Sequence, residues 1–237
     1  MHIAINTSLI YNTRMGLFSN RYNREPKRII DKDTPPKQGL ALFFDVFSRE
    51  FWELCKLNLI FVLFSLPIVT IPAATTAMCK VTMFMLLDKP IFVFSDFLSA
   101  FKAEWKRSTL VGIVYFPLLL GTMFGLYFYL NTMEVMLFFA SLVAFIILTV
   151  SGFYLFPMLA ALDIGMKGVL TNSLLLVFMR LPQNIVALLA IGFISLCILA
   201  AFPVSIIIVL VISIAISNLI STFCAYTGFK KFVIKEE

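Results

Sequence analysis

The sequence predicts an all-α protein, a polytopic membrane helical bundle, from three observations. First, 61% of the 237 residues are apolar, only 14% are charged, and the mean hydropathy is +0.98, whereas a soluble domain is about half apolar and a quarter charged. Second, long stretches carry no charged residue, and the longest covers about 49 residues, 181–229. Third, apolar and polar residues do not alternate along these stretches as barrel strands require. Because lipid leaves only helices and closed barrels as spanning structures, the stretches are predicted to be helices.

Four membrane spans are predicted with assurance, near 109–130, 135–158, 183–201 and 204–226. The longest uncharged run must fold back, because one helix of that length would measure about 70 Å against a hydrocarbon core of about 30 Å. Residues 202–205 are the expected turn, since Pro203 has no backbone donor and interrupts a helix.

The first hydrophobic stretch, 58–87, is interrupted by Pro67, Pro72 and Lys80, and its length is too great for one crossing and too small for two. Basic residues cluster on both sides of it, in 167–180 and at the C-terminal end. The positive-inside rule places all these clusters in the cytoplasm. Residues 51–87 would then enter and leave on one side, as two short helices or a broken re-entrant hairpin.

The alternative for this stretch is a single crossing, which makes five spans in total and places 80–107 outside. The sequence therefore predicts five or six membrane helices. The favoured arrangement keeps both termini in the cytoplasm and locates the protein in the cell membrane as a multi-pass protein.

Two amphipathic interfacial helices are predicted. The first has an apolar stripe at Leu40, Phe43, Phe44, Phe47, Phe51 and Leu54. Its opposite side carries Asp45, Ser48, Arg49, Glu50, Glu53 and Lys56, with Arg49 and Glu53 spaced to pair. The second has one face made of Phe94, Phe97, Leu98, Phe101 and Trp105, and Ser95 or Asp96 is expected to cap its start.

A third connecting segment, 163–180, is more apolar and is expected to be interfacial or partly buried, with Asp163 and Lys167 at pairing distance. Around these elements the chain divides into a cytoplasmic tail over 1–39, a single membrane domain over 40–230 and a short charged tail over 231–237.

Residues for catalysis or metal binding are not found in a usable pattern. The only histidine is His2, and Cys55, Cys79, Cys197 and Cys224 lack metal-ligand spacing. Phosphate-binding, dinucleotide-binding and nucleophile-elbow motifs do not occur. We therefore expect a non-enzyme without cofactor or metal. The net charge of +6 is explained by attraction to anionic lipid, and no nucleic-acid partner is expected.

Polar residues in the first hydrophobic stretch are the candidate functional positions. Lys80 is either a functional ion within the membrane or, as we favour, a side chain whose ammonium reaches the cytoplasmic surface. Four others are expected to join helices or, as we favour, to satisfy carbonyls freed by the two prolines: Asn58, Thr70, Thr75 and Thr76.

Residues 57–78, LNLIFVLFSLPIVTIPAATTAM, resemble the YesL family of bacterial membrane proteins. The matching positions are Asn58, Leu59, Leu66, Pro67, Ile68, Val69, Thr70, Ile71, Ala74, Thr75 and Ala77, and Pro72 stands where the family usually has glycine. Further similarity lies in 95–108 and at Tyr154, Pro157, Lys167, Asn172, Leu181 and Pro182. The motif residues singled out are Asn58, Pro67, Thr70, Pro72, Thr75, Lys80, Tyr154, Pro157 and Asn172.

The resemblance implies a small membrane protein found with carbohydrate-uptake systems of Gram-positive bacteria, without an established reaction. The leading hypothesis is an accessory subunit beside the permease subunits of an ABC-type sugar importer. The rival hypothesis is a small stand-alone transporter or channel whose path is lined by 57–87, with Lys80 touching a polar or anionic solute. A membrane partner of a sensor kinase is a third hypothesis. Similar proteins begin near Met15, so 1–14 are expected to be an upstream extension.

Overall fold

The computed structural model describes residues 39–162, 165–200 and 209–232. Every regular element in these ranges is helical, so the all-α prediction is confirmed. The tail over 1–38, the Asp163 pairing, the turn at Pro203 and residues 233–237 lie outside the described residues.

Eight α-helices and two short helical turns make up the described chain. The α-helices are α1 Leu40–Arg49, α2 Phe51–Phe64, α3 Ile71–Leu86, α4 Val93–Thr132, α5 Val135–Ala161, α6 Met166–Met179, α7 Leu181–Ala200 and α8 Ile214–Phe232. A 3₁₀ turn, Ile68–Thr70, separates α2 from α3, and a π-helical turn, Val209–Ser213, precedes α8.

Five of the described helices are long and apolar enough to cross a membrane. The candidate spans are Ile68–Leu86, Val93–Thr132, Val135–Ala161, Leu181–Ala200 and Val211–Gly228. A multi-pass membrane protein requires such helices, and the predicted positions of the long uncharged spans agree with α4, α5 and α7.

The second predicted interfacial helix is not a separate element. It forms the beginning of α4, which continues for 40 residues. Nothing between Val93 and Gly112 interrupts the helical hydrogen bonds, because this part contains neither proline nor an internal glycine. The expected N-cap at Ser95 or Asp96 was wrong, because α4 begins earlier, at Val93. Asp96 lies in the first turn, where its carboxylate accepts the backbone N–H of Phe92 at 2.8 Å.

The first predicted interfacial helix is broken at Glu50 into two helices, α1 and α2. The prediction that Glu50 lies on the charged outer side of this helix was wrong. The turn points this side chain inward, where it is only 2% exposed. Arg49 compensates the buried carboxylate by pairing with Glu50 and with Asp45, both at 3.0 Å. The predicted pairing of Arg49 with Glu53 is therefore replaced, and Glu53 pairs with Lys56.

The burial of side chains divides the bundle into two parts. All buried residues of α4 lie between Val93 and Gly112, and all those of α5 lie in 150–160. In α7 only Asn184 and Ala187 are buried. We call α1–α3, 93–112, 150–161, α6 and α8 the compact part, and 113–132, 135–149 and 188–200 the projecting part.

The third connecting segment forms α6 and is partly buried, which is one of the two expected outcomes. Val169, Ser173, Leu176 and Val177 face the bundle, whereas Leu174 and Phe178 are exposed.

Candidate functional site

The proline-broken stretch forms a helical hairpin of α2, the 3₁₀ turn and α3. At the bend, the hydroxyl oxygen of Thr70 lies 2.5 Å from the carbonyl oxygens of both Phe64 and Pro67. These carbonyls follow the end of α2, where helical partners run out. Thr70 thus has the role that we favoured from sequence, namely satisfying backbone groups at the break.

Pro72 lies in the first turn of α3, where its missing N–H removes no helical hydrogen bond. Its ring packs directly on Gly112 of α4, so closely that a β-carbon on Gly112 would collide with it. The proline that departs from the family pattern is therefore accommodated by a glycine on the neighbouring helix.

A hydroxyl pair joins α3 to α4 one turn further along. Ser108 donates to the hydroxyl of Thr76 at 2.8 Å, and Thr76 donates to the carbonyl of Pro72 at 3.1 Å. Both side chains are fully buried. Thr75, by contrast, bonds only within its own helix, to the carbonyl of Ile71 at 2.8 Å. Of these two threonines, Thr76 combines both expected roles and Thr75 has the intrahelical one.

Asn58 joins α2 to α8, which is the alternative that we favoured less. Its side-chain oxygen accepts the backbone N–H of Ala215 at 2.8 Å, and the residue is fully buried. Ala215 follows the π-helical turn, where regular helical hydrogen bonding changes. The Asn58 amide supplies the acceptor for this N–H.

Lys80 reaches the end of another helix. Its ammonium donates to the carbonyl of Ala160 at 2.6 Å, in the last turn of α5. Such carbonyls have no helical partner, and a helix C-terminus attracts positive charge. The Phe84 ring lies 5.8 Å from the Lys80 nitrogen, and the Glu104 carboxylate is near enough to act on its charge. Neither interpretation from sequence had anticipated this capping contact.

Lys89, in the connection between α3 and α4, lies near the same aromatic ring as Lys80. Its nitrogen is also 5.8 Å from the centre of the Phe84 ring. Burial lowers the pKa of Lys89, because removal from water disfavours the charged form.

Asn218 of α8 is the centre of a polar cluster that sequence reasoning missed. Thr82 donates to its side-chain oxygen at 3.0 Å, and Thr222 does so at 3.3 Å. The amide nitrogen donates to the sulfur of Cys79 at 3.1 Å. An asparagine inside a long uncharged run was the available signal, because a polar amide in such a run needs an internal partner.

Tyr154 bonds to Asn184, which holds the corner between α6 and α7. The buried tyrosine hydroxyl donates to the side-chain oxygen of Asn184. The Asn184 amide nitrogen donates to the carbonyls of Val177, at 2.9 Å, and Leu176, at 3.3 Å. The sequence indicated Tyr154 and missed Asn184.

Arg180, also missed, links the same corner to the end of α8. One guanidinium nitrogen donates to the carbonyl of Cys224 at 2.7 Å and to the hydroxyl of Thr227 at 2.8 Å. The residue is 6% exposed. The sequence placed Arg180 in the basic cluster 167–180, which is expected on the cytoplasmic side, and did not indicate its contacts.

Pro157 lies inside α5, where its missing N–H leaves the carbonyl of Phe153 without a helical donor. Ser221 of α8 supplies a donor to this carbonyl at 3.3 Å. Asn172 lies half-buried on α6 and takes no part in the clusters described here. The candidate residues are therefore distributed over several contacts between helices and do not converge on one point.

The chemistry of these contacts is that of helix joining. Hydroxyls, amides and two cations bond to backbone carbonyls or to one another, and the four cysteines are free. Within the described ranges, no group of three or more histidine, cysteine, aspartate or glutamate side chains is placed to hold a metal ion.

Comparison with known proteins gives one family match and no relative of known structure. No curated protein and no solved structure matches the chain. The matched stretch takes in residues 54–130, which include most of α2, the 3₁₀ turn, all of α3 and nearly all of α4. Over this stretch the chain is similar to the family described as "Protein of unknown function, DUF624".

Proposed function

We propose that the chain is a YesL-like membrane protein that acts as a non-enzymatic accessory subunit of an ABC-type carbohydrate importer. In this role it contacts the importer's permease subunits within the membrane and aids their assembly or activity. Both termini face the cytoplasm in this proposal.

One observation favours an accessory role over transport: five buried or half-buried polar side chains of the described bundle are used to join helices. Lys80 caps α5, Arg180 binds the end of α8, and Asn58 binds the start of α8. Asn184 and Asn218 are likewise bonded within the bundle. Groups that carry a solute must exchange partners with it, whereas these groups have structural partners.

The family match covers residues that carry the resemblance on which the proposal rests. The matched residues 54–130 include the 57–78 signature and the 95–108 segment on which the resemblance to the YesL family rests. The link to carbohydrate importers is what that resemblance implies.

The α7 segment of the projecting part offers the surface for such a contact. Along it, the side chains of Leu189, Phe193 and Leu196 are each more than half exposed. Helices associate in lipid through close packing of such faces. A permease helix would bury this face.

Copurification from native membranes in a mild detergent tests the proposal. We expect importer permease subunits to accompany the tagged chain in constant proportion. A matched pair of variants sharpens the test: Gly192→Leu on α7 should reduce the recovered permease several-fold, and Gly121→Leu on α4 should not. Apart from the backbone of its own helix, no described atom lies within 4 Å of a β-carbon added to either glycine, so both variants should fold. Recovery of the wild-type chain without any permease subunit would overturn the proposal.

Solute uptake by the purified chain tests the rival transporter function. Liposomes that contain only this protein should take up no sugar above the level of empty liposomes. Lys80→Ala should leave copurification unchanged, because the proposed docking does not use Lys80. Uptake that is present in the wild type and abolished in Lys80→Ala would favour the transporter.

A further inference from the structure

We propose that the α2–α3 hairpin is re-entrant: it dips into one leaflet, its tip binds lipid acyl chains, and it returns to the side from which it came. The tip consists of Leu66, Pro67, Ile68 and Val69. This inference concerns the chain alone and does not depend on the importer proposal.

The contacts between α3 and α4 show how the two helices are aligned. Pro72 packs on Gly112 and Thr76 bonds to Ser108, and one turn further along α3 the charge of Glu104 on α4 acts on Lys80. A residue four positions later in α3 therefore lies beside a residue four positions earlier in α4. The two helices therefore lie side by side in opposite directions, and α3 lies beside the first half of α4.

The distribution of charge along α4 gives the position of the membrane boundary. Its first half carries five charged residues, at Asp96, Lys102, Glu104, Lys106 and Arg107. From Ser108 to Met133 it carries none. Trp105 is 38% exposed and lies near this change, as aromatic residues at a membrane interface do. The hydrocarbon region therefore begins close to Ser108.

The boundary on α4 also determines how far the neighbouring α3 extends into the hydrocarbon region. Because Thr76 is level with Ser108, only the first turn of α3 and the preceding bend extend past the boundary. Beyond the level of Pro72, α4 continues from Gly112 to Thr132, a distance of about 30 Å at 1.5 Å per residue. That distance equals about one hydrocarbon thickness. The start of α3 is thus one membrane thickness short of the far end of α4.

The apolar composition of α3 is explained by its packing against other helices and does not require α3 to cross the membrane. In its most hydrophobic window, 67% of the residues are buried inside the protein, compared with 11% for α4, α5 and α7. Its apolar side chains therefore meet other helices. The hydropathy that makes α3 a candidate span reflects a protein interior in this case.

The side chains at the tip of the hairpin are apolar and exposed. Leu66 is 73% exposed, Ile68 81% and Val69 61%. On α2, Leu59 and Leu63 continue the same exposed apolar surface down to the tip. Just beyond Gly112 the neighbouring α4 is uncharged and exposed, at Ile113 and Val114. Acyl chains are the medium in which both surfaces are stable, since water around four adjacent apolar side chains is unfavourable.

Single-cysteine labelling with a membrane-impermeant maleimide tests this inference. The full chain is used with Cys55 and Cys197 changed to serine, while the buried Cys79 and Cys224 are kept. Ser48→Cys reports the side before the hairpin and Lys102→Cys the side after it, and both positions are exposed. Met133→Cys, at the connection between α4 and α5 where the side chain is 84% exposed, is the matched control for the opposite side.

We expect Ser48→Cys and Lys102→Cys to react in inside-out vesicles and Met133→Cys to react in intact cells. Labelling of Ser48→Cys and Lys102→Cys from opposite sides would overturn the inference, because the hairpin would then cross the membrane. Each variant is first checked for the wild-type elution volume in detergent, so a misfolded chain is not scored.

A second measurement places the tip in lipid. Ile68→Cys carrying a bimane fluorophore is reconstituted into phosphatidylcholine and phosphatidylglycerol vesicles. Acyl-chain-brominated lipid should quench the fluorophore at least several-fold more strongly than aqueous iodide. Quenching by iodide with no effect of brominated lipid would place the tip in water and refute the proposed lipid contact.

Discussion

The two halves of α4 differ in what surrounds them, and the more apolar half is the more exposed one. The half over 93–112 carries five charged residues and contains all the buried side chains of the helix. The half over 113–132 carries no charge and buries none of its side chains. In water this distribution would be unstable. The comparison teaches that the second half has lipid as its solvent.

Polar side chains follow the same division. In the projecting part, most hydrogen-bonded polar side chains bond back to their own helix, as Thr122 does to Leu119, Asn131 to Tyr127 and Thr149 to Phe145; the exception is the Tyr115 hydroxyl, which donates to the carbonyl of Leu148 on α5 at 2.9 Å. In the compact part several bond across helices, as Asn58, Thr76 and Asn218 do. A polar group that faces lipid has only its own backbone as partner, whereas one between helices can bind them together.

Truncation of a buried leucine should give the largest difference between the two parts. Leu159→Ala, at a residue 1% exposed, removes packing between helices and should lower the free energy of unfolding by about 2–5 kcal/mol. Leu120→Ala, at a residue 63% exposed, should change it by less than about 0.5 kcal/mol. Unfolding by sodium dodecyl sulfate in mixed micelles measures both. Equal losses would mean that the two parts do not differ in packing.

The addition of one methyl group should also change the stability of the protein differently in the two parts. Gly112→Ala forces a β-carbon against Pro72 and should destabilise the protein by about 1–3 kcal/mol. Gly121→Ala meets no atom within 4 Å and should be neutral or slightly stabilising, because alanine favours helix. Thermal denaturation followed by size-exclusion chromatography compares them. A stable Gly112→Ala protein would contradict the contact between α3 and α4.

Removal of an asparagine should have an intermediate effect. Asn58→Ala leaves the Ala215 N–H without its acceptor in a buried site and should cost about 1–3 kcal/mol. The control is Asn131→Ala, whose side chain is exposed and bonds to its own helix. Its effect should stay within about 0.5 kcal/mol. Faster hydrogen exchange at Ala215 in Asn58→Ala would identify the broken bond, and unchanged exchange there would argue against it.

The hydroxyl pair between α3 and α4 should give the smallest effect. In a double-mutant cycle of Thr76→Val and Ser108→Ala, we expect a coupling energy of about 0.6 kcal/mol, typical of hydrogen bonds between membrane helices. The same cycle with Thr122→Val in place of Thr76→Val should give no coupling, since Thr122 bonds within its own helix. A coupling energy of zero between Thr76→Val and Ser108→Ala would mean that this hydrogen bond does not hold α3 and α4 together.

Hydropathy and the distribution of charged residues predicted the positions of some helices correctly and gave wrong expectations for some side chains. The uncharged runs located α4, α5 and α7 closely, since such runs have one stable form in lipid. The burial of Glu50 and Arg180 was not predictable, because a charged residue beside a span usually faces water and only its neighbours decide otherwise. Asn184 and Asn218 were detectable as polar residues in an apolar run, but their partners lie far away in sequence.

The sequence by itself determined the medium and the helical class, because long uncharged segments are compatible with lipid and their backbones must bond internally. Only the tertiary structure decided that most of α3 is buried inside the protein and which side chains join the helices. The physical reason is that hydropathy measures transfer out of water and does not distinguish lipid from a protein interior. The burial of α3 makes that distinction, because 67% of its most hydrophobic window lies inside the protein, compared with 11% for α4, α5 and α7.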